Sequence, residues 1–154
     1  MSASLRLKRA QCYAATEATE MAIADLSRAL LIQPDNAAVY LELSSLRLEI
    51  GELAESVSAL KDCLRLDPDQ KACKAQYTRL RKLDKAMKSL EDAVAKSKLL
   101  TSRDMLLENN GLVAQVEALG SKQVRARVYK QACLVFNQVS FVFDTQQKIA
   151  QKDG

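Results

Sequence analysis

This 154-residue chain contains no histidine, and glycine and proline occur only four times and twice. Without histidine it lacks the commonest general base, the commonest metal ligand and any Ser-His or Cys-His nucleophile pair. So few glycines and prolines argue against an all-β domain, which needs frequent turn residues. The four cysteines, Cys12, Cys63, Cys73 and Cys133, show no C-x-x-C spacing, so neither a zinc site nor any other cofactor is indicated. No apolar run reaches the length of a bilayer span, which leaves no membrane partner. Met1 to Ala10 carries Arg6, Lys8 and Arg9 where a signal peptide would need its apolar segment, so no signal peptide is expected in this chain.

What is abundant points one way. Ala, Leu, Lys, Glu, Gln and Arg, the strongest helix formers, dominate the sequence. Apolar residues make up 48%, enough to bury a core, and charged residues 27%. The class expected is all-α. The formal net charge of +4 comes from basic and acidic residues interleaved as on a solvated helix surface. The densest basic stretch, Lys71 to Lys88, holds a single aromatic, Tyr77, and is interrupted by Asp84, so it lacks the stacking platform of a nucleic-acid binder.

The two prolines carry the most information. Pro34 and Pro68 stand 34 residues apart, in Gln-Pro-Asp-Asn and Asp-Pro-Asp-Gln. That offset is the tetratricopeptide period. Shifting the chain by it aligns Leu7 with Leu41, Leu26 with Leu60, Leu30 with Leu64 and Ala38 with Ala72. Two repeats are therefore expected over 3–36 and 37–69, each an antiparallel helix pair. In the second, helix A runs from about Ala37 to Glu49, Gly51 permits the turn, and helix B runs from about Leu53 to Leu66. Tyr40, Leu43 and Arg47 fall at the large positions of helix A, and Ser56, Leu60 and Cys63 at the small, large and small positions of helix B. The first repeat matches through Ala10, Tyr13, Ala22, Leu26, Ala29 and Pro34, with Glu17 standing where Gly51 stands in the second. Pro68 should end helix B and Asp69 start the next helix.

Beyond Pro68 the period is lost. Tyr77, Leu80, Leu83, Met87, Leu90 and Val94 recur at three and four residues, which predicts one long linking helix over 70–98. Degenerate repeat helices should follow over 99–138: Leu99 to Asn109, stopped by Asn110-Gly111; Leu112 to Leu119, ended by Gly120; and a helix N-capped by Ser121 that runs to about Asn137. Val139 to Phe143 alternates like a strand without an evident partner, so 139–154 is expected to be a frayed or disordered tail outside the repeats.

The residues resemble one family in particular. Cys63-Leu-Arg-Leu-Asp67, Lys71-Ala-Cys-Lys-Ala-Gln-Tyr77 and Arg81-Lys-Leu-Asp-Lys85 are similar to one stretch of the DnaJ-type tetratricopeptide co-chaperones of the endoplasmic reticulum lumen, also described as inhibitors of an interferon-induced protein kinase. Leu5 to Tyr13 and Ala24 to Ala29 resemble the preceding repeat of that family. The resemblance extends over roughly Leu5 to Asn137 and is strongest from Ala22 to Leu90. It implies a tetratricopeptide solenoid, unfolded protein clients, a lumenal location and, in full-length members only, a BiP-type chaperone partner engaged by a J domain. A J domain needs a His-Pro-Asp motif, which a chain without histidine cannot supply, so an internal piece or truncated product is expected. The resemblance also implies a disulfide between Cys63 and Cys73, the alternative being two small residues packed in a helix interface. Cys133 resembles half of a second family disulfide whose partner lies beyond the matching region.

The function expected is a protein-binding repeat module of a co-chaperone that holds unfolded or misfolded polypeptides. The client-binding candidates are Ala38, Leu41, Ser45 and Leu48, which with Glu42 form a mostly apolar set on helix A of the second repeat. Leu41 and Leu48 read equally as residues that pack against neighbouring helices. A structural scaffold or spacer, or a generic repeat adaptor for a partner's peptide, is the alternative. The carboxylate clamp that grips acidic chaperone tails fits poorly, because its positions read Ser4, Lys8 and Gln11, then Ala38, Glu42 and Ser45. No enzyme is indicated: Glu17 with Glu20 and Asp67 with Asp69 are ordinary surface and capping acids.

Overall fold

A computed structural model describes residues 2–108, 111–119 and 121–150, the last ten by their backbone only. The described residues form eight helices and no strand. In chain order these are α1 (Ala3–Ala15), α2 (Thr19–Ile32), α3 (Ala37–Glu49), α4 (Leu53–Leu66), α5 (Lys71–Ala95), α6 (Leu99–Leu107), α7 (Leu112–Glu117) and α8 (Lys122–Ala150). The chain divides into two compact units, Met1–Asp84 with Ser121–Val124, and Lys85–Gly120 with Arg125–Gly154.

The first unit is built of helix pairs closed by one kind of turn. After α1 the Ala18 N–H donates to the Tyr13 carbonyl, and after α3 the Glu52 N–H donates to the Arg47 carbonyl, both at 2.9 Å. A second bond inside each turn, Glu17 N–H to Ala14 and Gly51 N–H to Leu48, completes a Schellman motif. That motif needs a left-handed residue, and Gly51 supplies it at φ 87°. Glu17 occupies the same conformation at φ 59°, so replacing glycine leaves the turn intact at a conformational cost.

The same turn recurs where the sequence period had been lost. Lys98 N–H donates to the Ala93 carbonyl at 2.9 Å, Ser97 N–H to Val94 at 3.0 Å, and Ser97 has φ 54°. Helix α5 and α6 are thus joined as a third helix pair, whose first helix has 25 residues against 13 in α1 and α3. Aligning the three turns puts Ala10, Ser44 and Leu90 in register, and likewise Ala22, Ser56 and Ser102. Small pairs let the first two helix pairs close tightly: Ala10 and Ala22 are wholly buried, and the buried Ser56 hydroxyl donates to the Ser44 carbonyl at 2.8 Å. Leu90 replaces the small residue in the third.

Packing follows the periodicity. Leu26 and Leu60 are fully buried at equivalent positions, each worth about 1.5–3 kcal/mol relative to an exposed leucine. Val39, Leu43 and Leu46 of α3 join Leu26, Leu30 and Ala59 in the core. Asn36 caps α3 by accepting from the Val39 N–H. Ser121 caps α8 in the same way, and its hydroxyl also donates to the Leu48 carbonyl at 2.8 Å. In the second unit α6 packs on α7, with Leu106, Leu112, Val116, Val128 and Val135 fully buried.

Two expected boundaries are corrected. Asp69 does not start the helix after Pro68. The Asp67 carboxylate accepts from the Asp69 N–H at 3.2 Å, so Asp69 sits inside an Asx-type turn and α5 begins at Lys71. The segment expected as a frayed tail from Val139, with strand-like character to Phe143, is helical instead, because α8 continues unbroken to Ala150. No glycine or proline interrupts Lys122 to Asp153, and Val128, Ala132, Val135, Val139 and Val142 recur at three or four residues. That longer helical period outweighs five residues of alternation. Residues 151–154, and Asn109, Asn110 and Gly120 as expected helix stops, lie outside the described residues.

Candidate protein-binding face

Ala38, Leu41, Ser45 and Leu48 follow one another at three, four and three residues along α3, so the helix period places them on one face. Ala38 and Ser45 are exposed, Leu41 and Leu48 half-buried. The Ser45 hydroxyl donates to the Leu41 carbonyl at 3.2 Å, which turns its polarity back onto the helix and leaves the face largely apolar. Glu42, beside them, is half-buried. The buried side of the same helix is Val39, Leu43, Ser44 and Leu46, so α3 uses one side for the core and presents the other.

The most exposed apolar side chains lie elsewhere. Leu31 is 85% exposed and Ile32 50%, at the C-terminal end of α2, and Leu66 at the end of α4 is the repeat equivalent of Ile32. Leu5, 51% exposed in α1, is the equivalent of Val39, which is 5% exposed. A shallow dimple lined by Ala3, Leu7, Leu30, Gln33 and Val39 has no room for a water molecule. Among the described residues no group of His, Cys, Asp and Glu could hold a metal, and no helix is long and apolar enough to cross a membrane.

Cys63 of α4 and Cys73 of α5, both fully buried, are joined by a disulfide with their Cα atoms 6.4 Å apart. A bridge closing so short a loop stabilises by about 3 kcal/mol in the chain-entropy account. Cys12 and Cys133 are free and exposed.

A buried ion cluster was not foreseen. Asp25, 2% exposed, accepts two hydrogen bonds from the Arg9 guanidinium, 2.5 Å from Nε and 2.6 Å from the terminal nitrogen, and Arg6 lies 3.6 Å away. The Arg9 hydrogen bonds hold the Asp25 carboxyl below the usual carboxylate range against the opposing effect of burial, and Arg9 is raised in turn. Arg9 also lies over the Tyr13 ring at 5.9 Å. A signal existed: at the 34-residue offset Arg9 and Asp25 match Leu43 and Ala59, so both positions change from apolar to charged together.

Comparison with known proteins decides what kind of repeat this is. The tetratricopeptide repeat model matches residues 3–36 and 37–70. The DnaJ homolog subfamily C member 3 of Mus musculus and that of Homo sapiens are each 35% identical to the chain over 92 residues, 60% of this chain. A tetratricopeptide repeat and J domain-containing co-chaperone of Fusarium oxysporum is 29% identical over 119 residues. The crystal structure of the P58(IPK) TPR domain superposes with a TM-score of 0.75 over 87% of this chain, at 26% identity. The chain carries two tetratricopeptide repeats and is similar to the DnaJ-type co-chaperones. It spans 18% of the mammalian relatives and 23% of the fungal one, and 36% of the P58(IPK) TPR chain. Two tetratricopeptide repeats and similarity to repeat-containing co-chaperones are consistent with contact with other proteins.

Proposed function

We propose that this co-chaperone repeat module holds unfolded or misfolded polypeptide segments against Ala38, Leu41, Ser45 and Leu48, for a lumenal BiP-type chaperone that the longer family members engage. The observation that carries this reading is the α3 face itself: two half-buried leucines flanked by small exposed residues, with the one serine hydroxyl turned onto its own helix. Such a face favours extended apolar segments over a charged tail, and Lys8 is the single basic residue among the clamp positions. The buried Cys63–Cys73 bridge supports a lumenal location, because disulfides persist in oxidising compartments.

The test is chemical crosslinking to a permanently unfolded, reduced and alkylated model protein. The full chain should capture it, and Leu41→Glu with Leu48→Glu should lower capture by about tenfold, the equivalent of roughly 1.4 kcal/mol. Equal capture by wild type and variant would remove the client from this face. No capture by the wild type above background would favour the spacer reading.

A further inference from the structure

The chain's positive charge is not spread over it. Residues 71–88 carry seven basic and one acidic side chain, a net +6, so the other 136 residues carry −2 of the total +4. All of this excess lies on α5, and within the first unit it is ordered. Lys71, Lys74, Arg81 and Lys82 are all exposed, while Cys73, Leu80 and Leu83 of the same stretch are buried. Spacings of three, seven and one residues put the four charges within one side of the helix, opposite the buried side. No carboxylate occurs on α5 before Asp84. A solvated helix of ordinary design interleaves the two signs at three and four residues; over Lys71–Lys82 this one does not.

We infer that the outward side of α5 from Lys71 to Lys82 is a docking surface for an acidic polypeptide segment of a partner protein. Three observations select that occupant. Charge complementarity calls for an anion, and twelve residues of helix present the charges over about 17 Å, the reach of roughly five residues of extended chain. Single-stranded nucleic acid would add base stacking, yet the only aromatic in the stretch, Tyr77, is half-buried and lies 5.7 Å beneath the Arg81 guanidinium. An anionic membrane would take up the apolar side of a basic amphipathic helix, but that side of α5 is spent on Cys73, Leu80 and Leu83 in the core. The face is on a different helix from the proposed client-binding residues, so the two sites can fail separately.

Fluorescence anisotropy of the full chain with a labelled deca-glutamate peptide at low salt tests this. Micromolar binding is expected, weakening several-fold as salt is raised through the screening range. The variant Lys71→Gln/Lys74→Gln/Arg81→Gln/Lys82→Gln should lose at least about tenfold in affinity, with its helical circular dichroism unchanged because all four side chains are exposed. The charge-preserving Lys71→Arg/Lys74→Arg/Arg81→Lys/Lys82→Arg should retain binding. Neutralising Lys8, Lys61, Lys122 and Lys130, four exposed lysines elsewhere, makes the same change in net charge and should leave affinity within about twofold. An equal loss in that control, no binding by the wild type, or tighter binding to a poly-uridine strand or to phosphatidylserine vesicles at the same salt would overturn the proposal.

Discussion

Asp25 occupies the position that Ala59 fills one repeat later, and Arg9 the position of Leu43, so one helix interface is built twice from opposite chemistry. A carboxylate that is only 2% exposed persists there because two guanidinium hydrogen bonds replace its water. Its folded pKa lies below the unfolded value near 3.8, so the stability it contributes is complete above that value and is lost as pH falls through the lower folded one. Asp25→Asn should therefore cost about 1–2 kcal/mol at neutral pH, a figure reduced for the partial exposure of Arg9. The penalty should shrink steadily as pH falls below about 4. Urea unfolding across pH 3 to 7 measures it; a penalty that is constant over that range would show the ion pair to be incidental. At this scale the sequence was only partly legible. Buried leucines and alanines declare themselves through hydrophobicity, whereas a buried acid looks like a surface acid until its partner across the turn is known.

Helices and turns were more legible, because their signals are local. Pro34, Pro68 and Gly51 mark where elements end, and α3 and α4 start and stop where the pattern places them. The third helix pair was harder to see. Ser97 sits at φ 54° with no glycine to announce it, and twelve extra residues in α5 put the turn out of phase with the period. The tail failed for a related reason: alternation over Val139 to Phe143 is a short-range cue, and the helical spacing that overrides it becomes visible only over the whole of α8. The left-handed turn residues offer a direct comparison. Gly51→Ala forces a β-carbon into φ 87° and to 3.0 Å from the Gln123 β-carbon, which should cost roughly 1–2 kcal/mol. Glu17→Gly relieves the same conformation in the first turn and should add about 0.5–1 kcal/mol, despite the greater chain entropy of glycine. Chemical denaturation of both variants checks the pair. Stabilisation by Gly51→Ala, or destabilisation by Glu17→Gly, would mean that some contact of the side chain outweighs the backbone.

For the molecule as a whole, the stacking of helix pairs sets how damage spreads. In the first unit α1 packs on α2, α2 on α3 and α3 on α4, and a solenoid of this kind is stabilised by nearest-neighbour interfaces rather than by one shared core. Leu60, fully buried in α4 at the large position of the repeat, is the place to perturb it. Leu60→Ala removes three carbons from a closed interface and should cost about 3 kcal/mol. If stability is local, hydrogen exchange should quicken most in α3 and α4, the pair that Leu60 joins, and least in α1, which contacts α2. Leu26, the equivalent residue of the first repeat, gives the mirror experiment: Leu26→Ala should quicken exchange most in α1 and α2. Exchange-detected mass spectrometry at peptide resolution resolves the helices. Two variants that accelerate all four helices to the same extent would show one cooperative block. The expected crossed pattern assigns each repeat its own stability, and a module made of such units can loosen at one helix pair while the next stays closed.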